Sequence, residues 1–306
     1  FFLLLTGKVD IIHAQDGVVS ILLMPLAWLF KRPMVVVIHG LDVTYKLGLF
    51  QWLIRRSLNS AAQVICISSA AKSEVTARGI REGKVTVIPL GVTDDIYTNN
   101  KAAARQILDK EYPELQGKQV LLSSGRLVKR KGMEWFIRNV LPVITESEPN
   151  TILVISGEGD ARSVIEEAIT ETKVQDKVLL LGRTSNELLH NLYNAADCFV
   201  MPNIVVPGDM EGFGRVLVEA ALCEVPVVAS AIEGIVDAIH DGKNGTLVPT
   251  EDALAHAQAI LRTLQNTDAS QKQGKRAREY SLKTFGWGEI VKQYLQVYKQ
   301  TETSKA

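Results

Sequence analysis

Two carboxylates bracket a glycine-rich segment whose residue types suit an anion or sugar site. Glu211 and Glu219 stand eight positions apart, and Gly212 and Gly214 let the backbone approach a ligand closely. A helix is expected to begin near Gly214, where the first N–H groups have no intrahelical partners and can donate to an anion. The helix that follows, Val216–Cys223, is apolar on almost every side. Burying the Glu219 carboxylate there costs free energy unless a partner offsets it.

An alternative interpretation gives both carboxylates ordinary structural places. Glu219 would pair with an arginine inside the fold, and Glu211 would be a solvated loop residue. For an isolated glutamate this alternative would be preferred. Two carboxylates on either side of a glycine-rich helix start favour ligand contact instead.

A second segment concentrates positive charge directly after a predicted strand. Within six positions, the loop that begins at Ser124 carries the cations Arg126, Lys129, Arg130 and Lys131. Such a loop suits a phosphate, and arginine offers a bidentate fork to it. A solvated basic loop is the alternative for Lys129 and Arg130. It fits Arg126 less well, because Arg126 follows the strand end so closely.

One histidine is a further candidate. His39 closes an apolar strand, precedes Gly40 and stands three residues before Asp42. A histidine in this position is as often a hydrogen-bonded core residue as a site residue. On its own it decides nothing.

Several common chemical motifs are missing from the sequence. None of the Gly-Lys pairs is followed by the Ser or Thr of a phosphate-binding P-loop. No two aspartates stand two apart, as in the Asp-x-Asp that commonly holds a divalent metal on a sugar nucleotide, so we expect no metal. Gly157 and Gly159 follow a strand, but Arg162 stands where a dinucleotide fingerprint needs glycine. A nicotinamide dehydrogenase is therefore a remote alternative.

Composition narrows the class of protein. The 306 residues are 46% hydrophobic and 22% charged, which excludes disorder for most of the chain. The 34 basic and 34 acidic residues cancel, so the chain lacks the basic field that non-specific nucleic-acid binding needs. Cys66, Cys198 and Cys223 lie apart in apolar stretches, which favours buried thiols in a reducing, cytoplasmic compartment over disulfides.

The elements that must position these residues read as β-α units of a parallel sheet. Short Val/Ile/Leu-rich runs without strict alternation indicate strands that are covered on both faces. Many end in small or polar residues, and ligands of open α/β sheets bind at such carboxyl ends. Candidate strands are Val9–His13, Met34–His39, Gln63–Ser68, Val85–Pro89, Val120–Ser124, Ile152–Ser156, Val178–Leu181, Cys198–Met201, Val225–Ser230 and Thr246–Val248.

A polar stretch separates two α/β domains. It runs from Gly91 to Gly117 and contains a short predicted helix, Ala102–Leu108. An amphipathic helix is predicted over Trp287–Tyr298, followed by a frayed polar end. The apolar run Val18–Phe30 is too short to span a bilayer. A core helix with a solvated end is preferred for it. The alternative is a membrane-facing surface extended by Lys31 and Arg32.

Together these segments resemble the retaining, GT-B-fold glycosyltransferases of family 4. The resemblance covers nearly the whole chain, and the combination of motifs is specific although each piece alone is not. The family's Glu-x7-Glu motif matches Glu211 to Glu219, with Gly212-Phe213-Gly214 inside it. Its Gly-Arg…Lys-Gly segment matches Gly125-Arg126…Lys131-Gly132, and its His-Gly-x-Asp matches His39-Gly40-Leu41-Asp42. Further similar segments are Ile88–Val92, Ala196–Pro202, Pro226–Ser230 and Gly242…Gly245.

The chain departs from the family pattern at several points. Glu224 stands where the family usually has glycine, Glu233 replaces the first of a Gly-Gly pair, and Leu90 stands where Asn is common. These departures bear on loop details and donor preference. Because the chain opens on Phe1 in an apolar run, we also expect an N-terminally truncated first domain that lacks the family's first β-α units and its glycine-rich loop. The activity of such a chain is in question.

The resemblance implies a fold and an activity. The fold would be α/β of GT-B architecture, with two Rossmann-like domains and the donor site in the cleft between them. Residues 1–95 would be the remainder of the acceptor-side domain, 96–284 the nucleotide-sugar domain, and 285–306 a helix crossing back to the first domain. The activity would be transfer of a sugar from a nucleoside-diphosphate sugar to an acceptor hydroxyl with retention. No metal or other cofactor is implied.

The resemblance also implies roles for individual residues. Catalytic residues would be His39 near the sugar, Arg126 and Lys131 on the diphosphate, and Glu211 on the sugar hydroxyls. Glu219 would accept from the ribose hydroxyls, and no covalent nucleophile is implied. The remaining donor-binding residues would be Gly125, Gly157, Gly182, Arg183, Gly212, Phe213, Gly214, Arg215 and Val216.

Partners and location complete the expectation. The acceptor would be a carbohydrate or a lipid-linked molecule. If Val18–Phe30 forms a membrane-facing surface, the protein would also contact the inner face of the membrane peripherally. The rival from another class is a non-catalytic nucleotide- or sugar-binding protein, or an inactive fragment, on the same scaffold.

Overall fold

The structure, a computed structural model, describes residues 7–94 and 100–303. Its internal contacts divide the chain into two units. The first unit contains Phe1–Gly91, Gly208–Phe213 and Trp287–Ala306, and the second contains Val92–Pro207 and Gly214–Gly286.

The first unit is built on a parallel sheet. Among its described residues the strands run in the order β1-β2-β3-β4. Its elements are β1 (Ile12–Ala14), α1 (Gly17–Leu29), β2 (Met34–Ile38), α2 (Leu41–Thr44), α3 (Gly48–Ser60), β3 (Gln63–Cys66), α4 (Ser69–Ala77), a 3₁₀ turn (Glu82–Lys84) and β4 (Val85–Val87). Every residue of β2 is buried, because helices cover the sheet and the strand is apolar throughout. The C-terminal helix Trp287–Thr303 also belongs to this unit.

The second unit is a larger parallel sheet in the order β10-β9-β8-β5-β6-β7 over its described part. Its strands are β5 (Gln119–Ser124), β6 (Thr151–Ser156), β7 (Val178–Gly182), β8 (Cys198–Met201), β9 (Val227–Ser230) and β10 (Thr246–Val248). Its helices are α5 (Lys101–Glu111), α6 (Met133–Asn139), α7 (Leu141–Ser147), α8 (Arg162–Thr172), α9 (Asn186–Ala195), α10 (Arg215–Leu222), α11 (Ile235–Ala238), α12 (Ala253–Gln265) and α13 (Thr267–Phe285), with 3₁₀ turns at Pro113–Leu115, Lys129–Lys131 and Gln175–Lys177. The C-terminal helix Trp287–Thr303, which belongs to the first unit, follows these helices in the chain and is numbered α14.

The order of this sheet places β5 and β8 side by side at its centre. Strands β6 and β7 extend the sheet on one side of β5, and β8, β9 and β10 extend it on the other. The direction of the chain order therefore reverses between β5 and β8. In doubly wound sheets this position is where loops part and leave a crevice for a ligand. The loops after β5 and β8 carry the basic segment and the glycine-rich segment of the sequence analysis.

The predicted α/β class is confirmed, and each candidate strand has a counterpart that differs from it only at its ends. Helix α5 is longer than the predicted Ala102–Leu108, and α14 is longer than the predicted Trp287–Tyr298. The expected domain border at residues 95 and 96, the opening at Phe1 and the frayed end at 304–306 lie outside the described residues. The segment Gly208–Phe213 groups with the first unit, which corrects the prediction that it belongs to the second.

Two expectations are corrected by burial. Helix α1 packs on the core of the first unit through residues such as Val19, Leu23 and Met24, but Leu22 and Trp28 are 70% and 82% exposed, so the expected core helix with a solvated end is corrected to a helix with one exposed side. Arg130 is not a solvated loop residue, because its side chain is buried. Cys66, Cys198 and Cys223 are buried and unpaired, as predicted. Among residues 7–94 and 100–303, no helix is long and apolar enough to cross a membrane.

The two glutamates that replace family glycines adopt the backbone conformation that glycine favours. Glu224 has φ +59° and Glu233 has φ +48°, both in the left-handed region. Glu224 directly follows Cys223, the C-cap residue of α10. Glycine is common just after a helix because it enters this region without a Cβ penalty. The departures therefore keep the local fold and add strain at each position.

Candidate functional site

In the second unit, backbone hydrogen bonds join the residues at the carboxyl ends of β5, β6 and β7, and the basic loop follows β5. The N–H of Gly125 donates to the carbonyl of Ser156 at 2.9 Å, and the N–H of Leu127 donates to the carbonyl of Glu158 at 2.9 Å. The N–H of Gly157 donates to the carbonyl of Gly182 at 2.7 Å. Together these bonds hold the carboxyl ends of β5, β6 and β7 in one arrangement.

These hydrogen bonds depend on glycines at the points where the backbones of two loops lie close together. A Cβ on Gly157 would lie 1.8 Å from the carbonyl oxygen of Gly125, and φ at Gly157 is +143°. A Cβ on Gly132 would lie 2.0 Å from the carbonyl oxygen of Pro202, just after β8. The N–H of Ile204 donates to the carbonyl of Arg130 at 3.0 Å. The basic loop therefore lies against the loops that follow β6 and β8.

The cations of the basic loop differ in accessibility. Arg126 and Lys129 are exposed, Lys131 is half-buried, and Arg130 is buried. The Lys131 side chain passes beside Gly125, with its Cε 3.8 Å from where a Cβ would stand. Arg126 and Lys131 therefore lie at the carboxyl edge of the sheet. Arg183, after β7, is also exposed at this edge.

Helix α10 begins at the same edge. Gly214 precedes it in the left-handed conformation, with φ +78° and ψ +50°. The N–H groups of Arg215 and Val216 at the start of the helix have no intrahelical acceptors and lie at the positive end of the helix dipole, whereas the N–H of Leu217 donates to the carbonyl of Gly214 at 2.9 Å. Their placement suits an anion, and Arg215 adds an exposed guanidinium.

Glu219 is held by two side chains of the second unit. The hydroxyl of Tyr193 donates to its Oε2 at 3.1 Å, and Arg215 Nε lies 3.0 Å from its Oε1. Tyr193 is fully buried and Glu219 is 8% exposed. The predicted alternative, pairing with an arginine, is therefore present, but this arginine stands at the exposed start of the same helix. A carboxylate anchored this way keeps lone pairs for ligand hydroxyls.

In the first unit, the carboxylate of Asp42 holds the backbone of His39 in place. We call the hydrogen bonds of Asp42 to His39 and Gly17 the Asp42 brace. The Oδ1 atom of Asp42 accepts from the N–H of His39 at 3.0 Å, and its Oδ2 accepts from the N–H of Gly17 at 2.8 Å. Burial raises the pKa of Asp42, while the backbone donors oppose that change. His39 Nε2 lies 3.0 Å from the carbonyl of Gln15, so this nitrogen carries the proton, and the ring is exposed.

The segment Glu211-Gly212-Phe213 packs against this brace within the first unit. A Cβ on Gly212 would lie 2.5 Å from the carbonyl oxygen of His39, and a Cβ on Gly40 would lie 3.1 Å from Sδ of Met210. Glu211 is buried, so the alternative interpretation of a solvated loop residue is wrong. Phe213 is buried as well, and only its backbone is suited to contact a ligand.

The candidate residues thus form one group in each unit. The first group contains His39, Glu211, Gly212 and Phe213. The second contains Gly125, Arg126, Lys131, Gly157, Gly182, Arg183, Gly214, Arg215, Val216 and Glu219. No cluster of three or more His, Cys, Asp or Glu able to hold a metal occurs in the described part of the chain.

Sequence reasoning missed two residues that matter for these groups. Asp42 was visible in the His-Gly-x-Asp match, but nothing indicated that it fixes the His39 loop. Tyr193 gave no signal, because a tyrosine on an amphipathic helix looks like any core residue. Gly159 is now explained without a nucleotide: a Cβ there would lie 2.3 Å from the carbonyl oxygen of Leu127.

Fold and site together define an α/β protein that presents cations and a helix N-terminus at the carboxyl edge of a doubly wound sheet. Residues 104–280 match the family described as Glycosyl transferases group 1, and residues 2–96 match Glycosyltransferase Family 4. The chain belongs to the group 1 glycosyltransferases and is a glycosyltransferase of GT-B fold.

Similar proteins include a curated relative and two solved structures. The chain is 29% identical over 304 residues to an uncharacterized glycosyltransferase of Methanocaldococcus jannaschii, covering 95% of this chain and 75% of that protein. HepE of Anabaena, solved in complex with UDP, superposes with a TM-score of 0.84 at 20% identity, covering 97% of this chain and 81% of HepE. Sucrose-phosphate synthase of Thermosynechococcus elongatus superposes with a TM-score of 0.80 at 27% identity, covering 97% and 75%.

Proposed function

We propose that the protein transfers a sugar from a nucleoside-diphosphate sugar to an acceptor hydroxyl with retention at the anomeric carbon. The observation that supports the proposal is the carboxyl edge of the sheet in the second unit. Backbone hydrogen bonds join the strand-end loops there, and Arg126, Lys131 and the start of α10 lie at this edge. Family membership supports the same activity. HepE was solved with UDP, and a similar mannosyltransferase of Mycolicibacterium smegmatis is GDP-mannose-dependent, so the proposal covers donors with either base.

The cations of the second unit act on the leaving group. As the bond between the anomeric carbon and the phosphate oxygen breaks, negative charge develops on the diphosphate. Arg126 and Lys131 neutralise that charge, and the N–H groups at Gly214, Arg215 and Val216 donate to the phosphate oxygens. No metal or other cofactor takes part in this proposal. Gly125, Gly157, Gly182 and Arg183 border the nucleotide.

The carboxylates and the histidine act on the sugars. Glu219 accepts from the ribose hydroxyls, and Glu211 accepts from the hydroxyls of the donor sugar, with Gly212 and Phe213 contributing backbone contacts. His39 lies beside the reacting centre. The acceptor oxygen forms the new bond on the face that the diphosphate leaves, and its proton passes to the departing diphosphate. No covalent nucleophile is assigned.

The proposal also includes the class of acceptor and the cellular compartment. The acceptor is a carbohydrate or a lipid-linked molecule, and the enzyme works in the cytoplasm. The three buried, unpaired thiols fit a reducing compartment. Residues 1–95, 96–284 and 285–306 are the proposed domain limits, except that Gly208–Phe213 groups with the first unit.

Donor binding is tested by thermal unfolding with UDP, GDP, ADP and NAD. A ligand that binds the folded state raises the melting temperature by mass action. We expect one nucleoside diphosphate to stabilise the protein, and Lys131→Ala to abolish that effect. Lys129→Ala is the matched control, since Lys129 lies in the same loop and is exposed. Stabilisation by NAD alone would overturn the proposal in favour of a dehydrogenase.

Turnover separates an enzyme from a binding protein. Release of the nucleoside diphosphate from the stabilising donor, with or without acceptor, is expected for the unchanged chain and lost in Arg126→Ala. Binding without release under any acceptor would contradict the catalytic part of the proposal. The anomeric configuration of the product, followed by NMR, tests retention.

A further inference from the structure

The edge of the second unit's sheet that lies away from the candidate site carries a cleft. The cleft has a volume of about 320 Å³, and every described residue that lines it belongs to the second unit. Among them, Gln119 is the first residue of β5, Asp197 directly precedes β8, and Pro226 directly precedes β9. These are the amino ends of the strands, whereas the basic loop and the start of α10 lie at the carboxyl edge. The cleft is therefore a separate feature, and its volume suits a small molecule.

Helix α13 forms one wall of the cleft. Positions i, i+3, i+4 and i+8 share one side of a helix, and the residues at these positions that line the cleft are Thr267, Ser270, Gln271 and Lys275. Asn266 precedes the helix but forms no side-chain cap hydrogen bond. The first intrahelical hydrogen bond runs from the N–H of Ser270 to the carbonyl of Asn266, so the N–H groups before it have no intrahelical acceptor. The positive end of the helix dipole thus lies at the cleft.

Positive charge exceeds negative charge around the cleft. Lys275 and Lys101, at the start of α5, are exposed and line the cleft. Lys101 pairs with Asp197 at 2.6 Å, but Asp197 also accepts from Arg105 at 2.6 Å and from a backbone N–H at 2.7 Å. Glu224 is the other acid of the lining, so three cations stand against two acids. The start of α13 adds to the positive side, and the cleft therefore favours an anion.

One residue of the lining has a buried acceptor without a donor. Nε2 of Gln119 donates to the carbonyl of Leu264 at 3.2 Å. Oε1 of Gln119 is buried and accepts no hydrogen bond from the residues that the structure describes. Buried amide oxygens are normally paired. A ligand hydroxyl that donates to Gln119 would satisfy this oxygen, so the residue favours a ligand that carries hydroxyl groups.

The rest of the lining indicates the class of ligand. None of the described residues that line the cleft is aromatic, so a nucleotide base finds no ring on which to stack. Hydroxyl and amide side chains suit the hydroxyl groups of a sugar. Apolar side chains suit the C–H groups of the sugar ring, and they are Cys223, Val225, Pro226 and Leu264. Exposed cations beside the start of a helix suit a phosphate.

We propose that this amino-edge cleft binds a small phosphorylated sugar. The start of α13, Lys101 and Lys275 attract the phosphate, and Gln119 and Thr267 contact the sugar hydroxyls. A sugar without phosphate lacks the charge, and inorganic phosphate lacks the hydroxyl contacts, so each binds more weakly than the whole molecule. The inference does not rest on the proposed sugar transfer, because the cleft shares no residue with the two candidate groups.

Isothermal titration calorimetry tests binding directly. The purified chain, without any nucleotide, is titrated with glucose 6-phosphate, mannose 6-phosphate and fructose 6-phosphate, and separately with glucose and with inorganic phosphate. We expect at least one hexose phosphate to bind, with an affinity that falls as salt rises. Glucose and inorganic phosphate should bind about tenfold more weakly or less. Absence of binding by all three hexose phosphates would overturn the proposal, and equal binding of inorganic phosphate would overturn it in favour of a simple anion site.

Variants assign the binding to the cleft. Lys275→Ala is expected to lower the affinity for the hexose phosphate about fivefold or more, because a charge-assisted contact is lost. Gln119→Leu is expected to lower it as well, because the amide that meets the sugar hydroxyls is removed. Lys272→Ala is the matched control, since Lys272 is an exposed lysine of the same helix that does not line the cleft. The melting temperature without ligand shows that each variant is folded. Equal affinities of Lys275→Ala and Lys272→Ala would contradict the assignment.

Paired measurements separate this cleft from the candidate donor site. Lys131→Ala should retain binding of the hexose phosphate while it loses stabilisation by the nucleoside diphosphate, and Lys275→Ala should show the opposite pattern. Loss of hexose phosphate binding in Lys131→Ala, with binding kept in Lys275→Ala, would assign the ligand to the candidate donor site and overturn the proposal. If the hexose phosphate binds while no nucleoside diphosphate stabilises the unchanged chain, the proposed function fails and the cleft is supported.

Discussion

At the scale of single residues, Glu219 shows how a carboxylate is prepared for a ligand inside an apolar helix. Its two oxygens are anchored from different sides, one by the buried hydroxyl of Tyr193 and one by the exposed guanidinium of Arg215. A buried carboxylate without such donors would be strongly disfavoured. Tyr193 therefore acts as a positioning residue for the proposed ribose contact.

We predict that Tyr193→Phe weakens donor binding. Losing a hydrogen bond to a charged group costs about 1.5–3 kcal/mol. Part of that cost should appear as lower stability and part as a higher KM for the donor, with kcat changed much less. Tyr280→Phe is the control, because its hydroxyl bonds to His240 in the same unit, apart from Glu219. Equal effects of the two variants on KM would show that Tyr193 is merely structural.

At the scale of elements, the site depends on strand-end loops that are bonded to one another. Gly157 lies so close to Gly125 that no side chain fits between β6 and β5 at this point. The position of Arg126 and Lys131 thus depends on a residue with no functional group of its own.

We predict that Gly157→Ala disturbs both stability and donor binding. The new Cβ would force the loop after β5 outward, and a strained backbone at positive φ adds about 1–3 kcal/mol. The free energy of unfolding should fall by at least that amount, and stabilisation by the nucleoside diphosphate should be lost. Gly83→Ala is the control, because a Cβ there meets nothing within 4 Å. Unchanged nucleotide binding in Gly157→Ala would contradict the role given to the fastened loops.

The same elements show how far the sequence could predict the structure. Apolar runs located the strands, because a strand that is covered on both faces must be apolar throughout. The glycine-rich helix start was predicted from Gly212 and Gly214. The buried state of Arg130 could not be predicted, since the three adjacent cations Lys129, Arg130 and Lys131 look alike until the loop after β8 is placed against them. The grouping of Gly208–Phe213 with the first unit likewise depends on contacts with distant residues, such as that of Gly212 with His39.

At the scale of the whole molecule, each unit carries a histidine outside the candidate site whose pKa is lowered by burial: the half-buried His13 in the first unit and the buried His256 in the second. In the first unit, Nδ1 of His13 lies 2.5 Å from the hydroxyl of Tyr298 on α14, and the ring stacks on Tyr294. In the second, His256 Nδ1 lies 2.8 Å from the carbonyl of Asp252, and its Nε2 lies 3.3 Å from the hydroxyl of Ser230. Burial lowers the pKa of both histidines below 6.5.

These two groups predict a loss of stability on mild acidification. A histidine with a lowered pKa in the folded state binds protons less readily there than in the unfolded chain. Stability is therefore fully present above pH 6.5 and falls as the pH drops from 6.5 through the lowered folded-state pKa values. Each histidine contributes at most about 1.4 kcal/mol for each pH unit in that window.

Single and double variants test whether the two histidines act separately. His13→Gln and His256→Gln each remove one titrating group, so each should flatten part of the dependence of unfolding free energy on pH just below 6.5. Because the residues belong to different units and share no partner, the two changes should add in the double variant. Denaturant unfolding at a series of pH values provides the measurement. A double variant as acid-sensitive as the unchanged chain would show that other groups, not these histidines, control stability in this range.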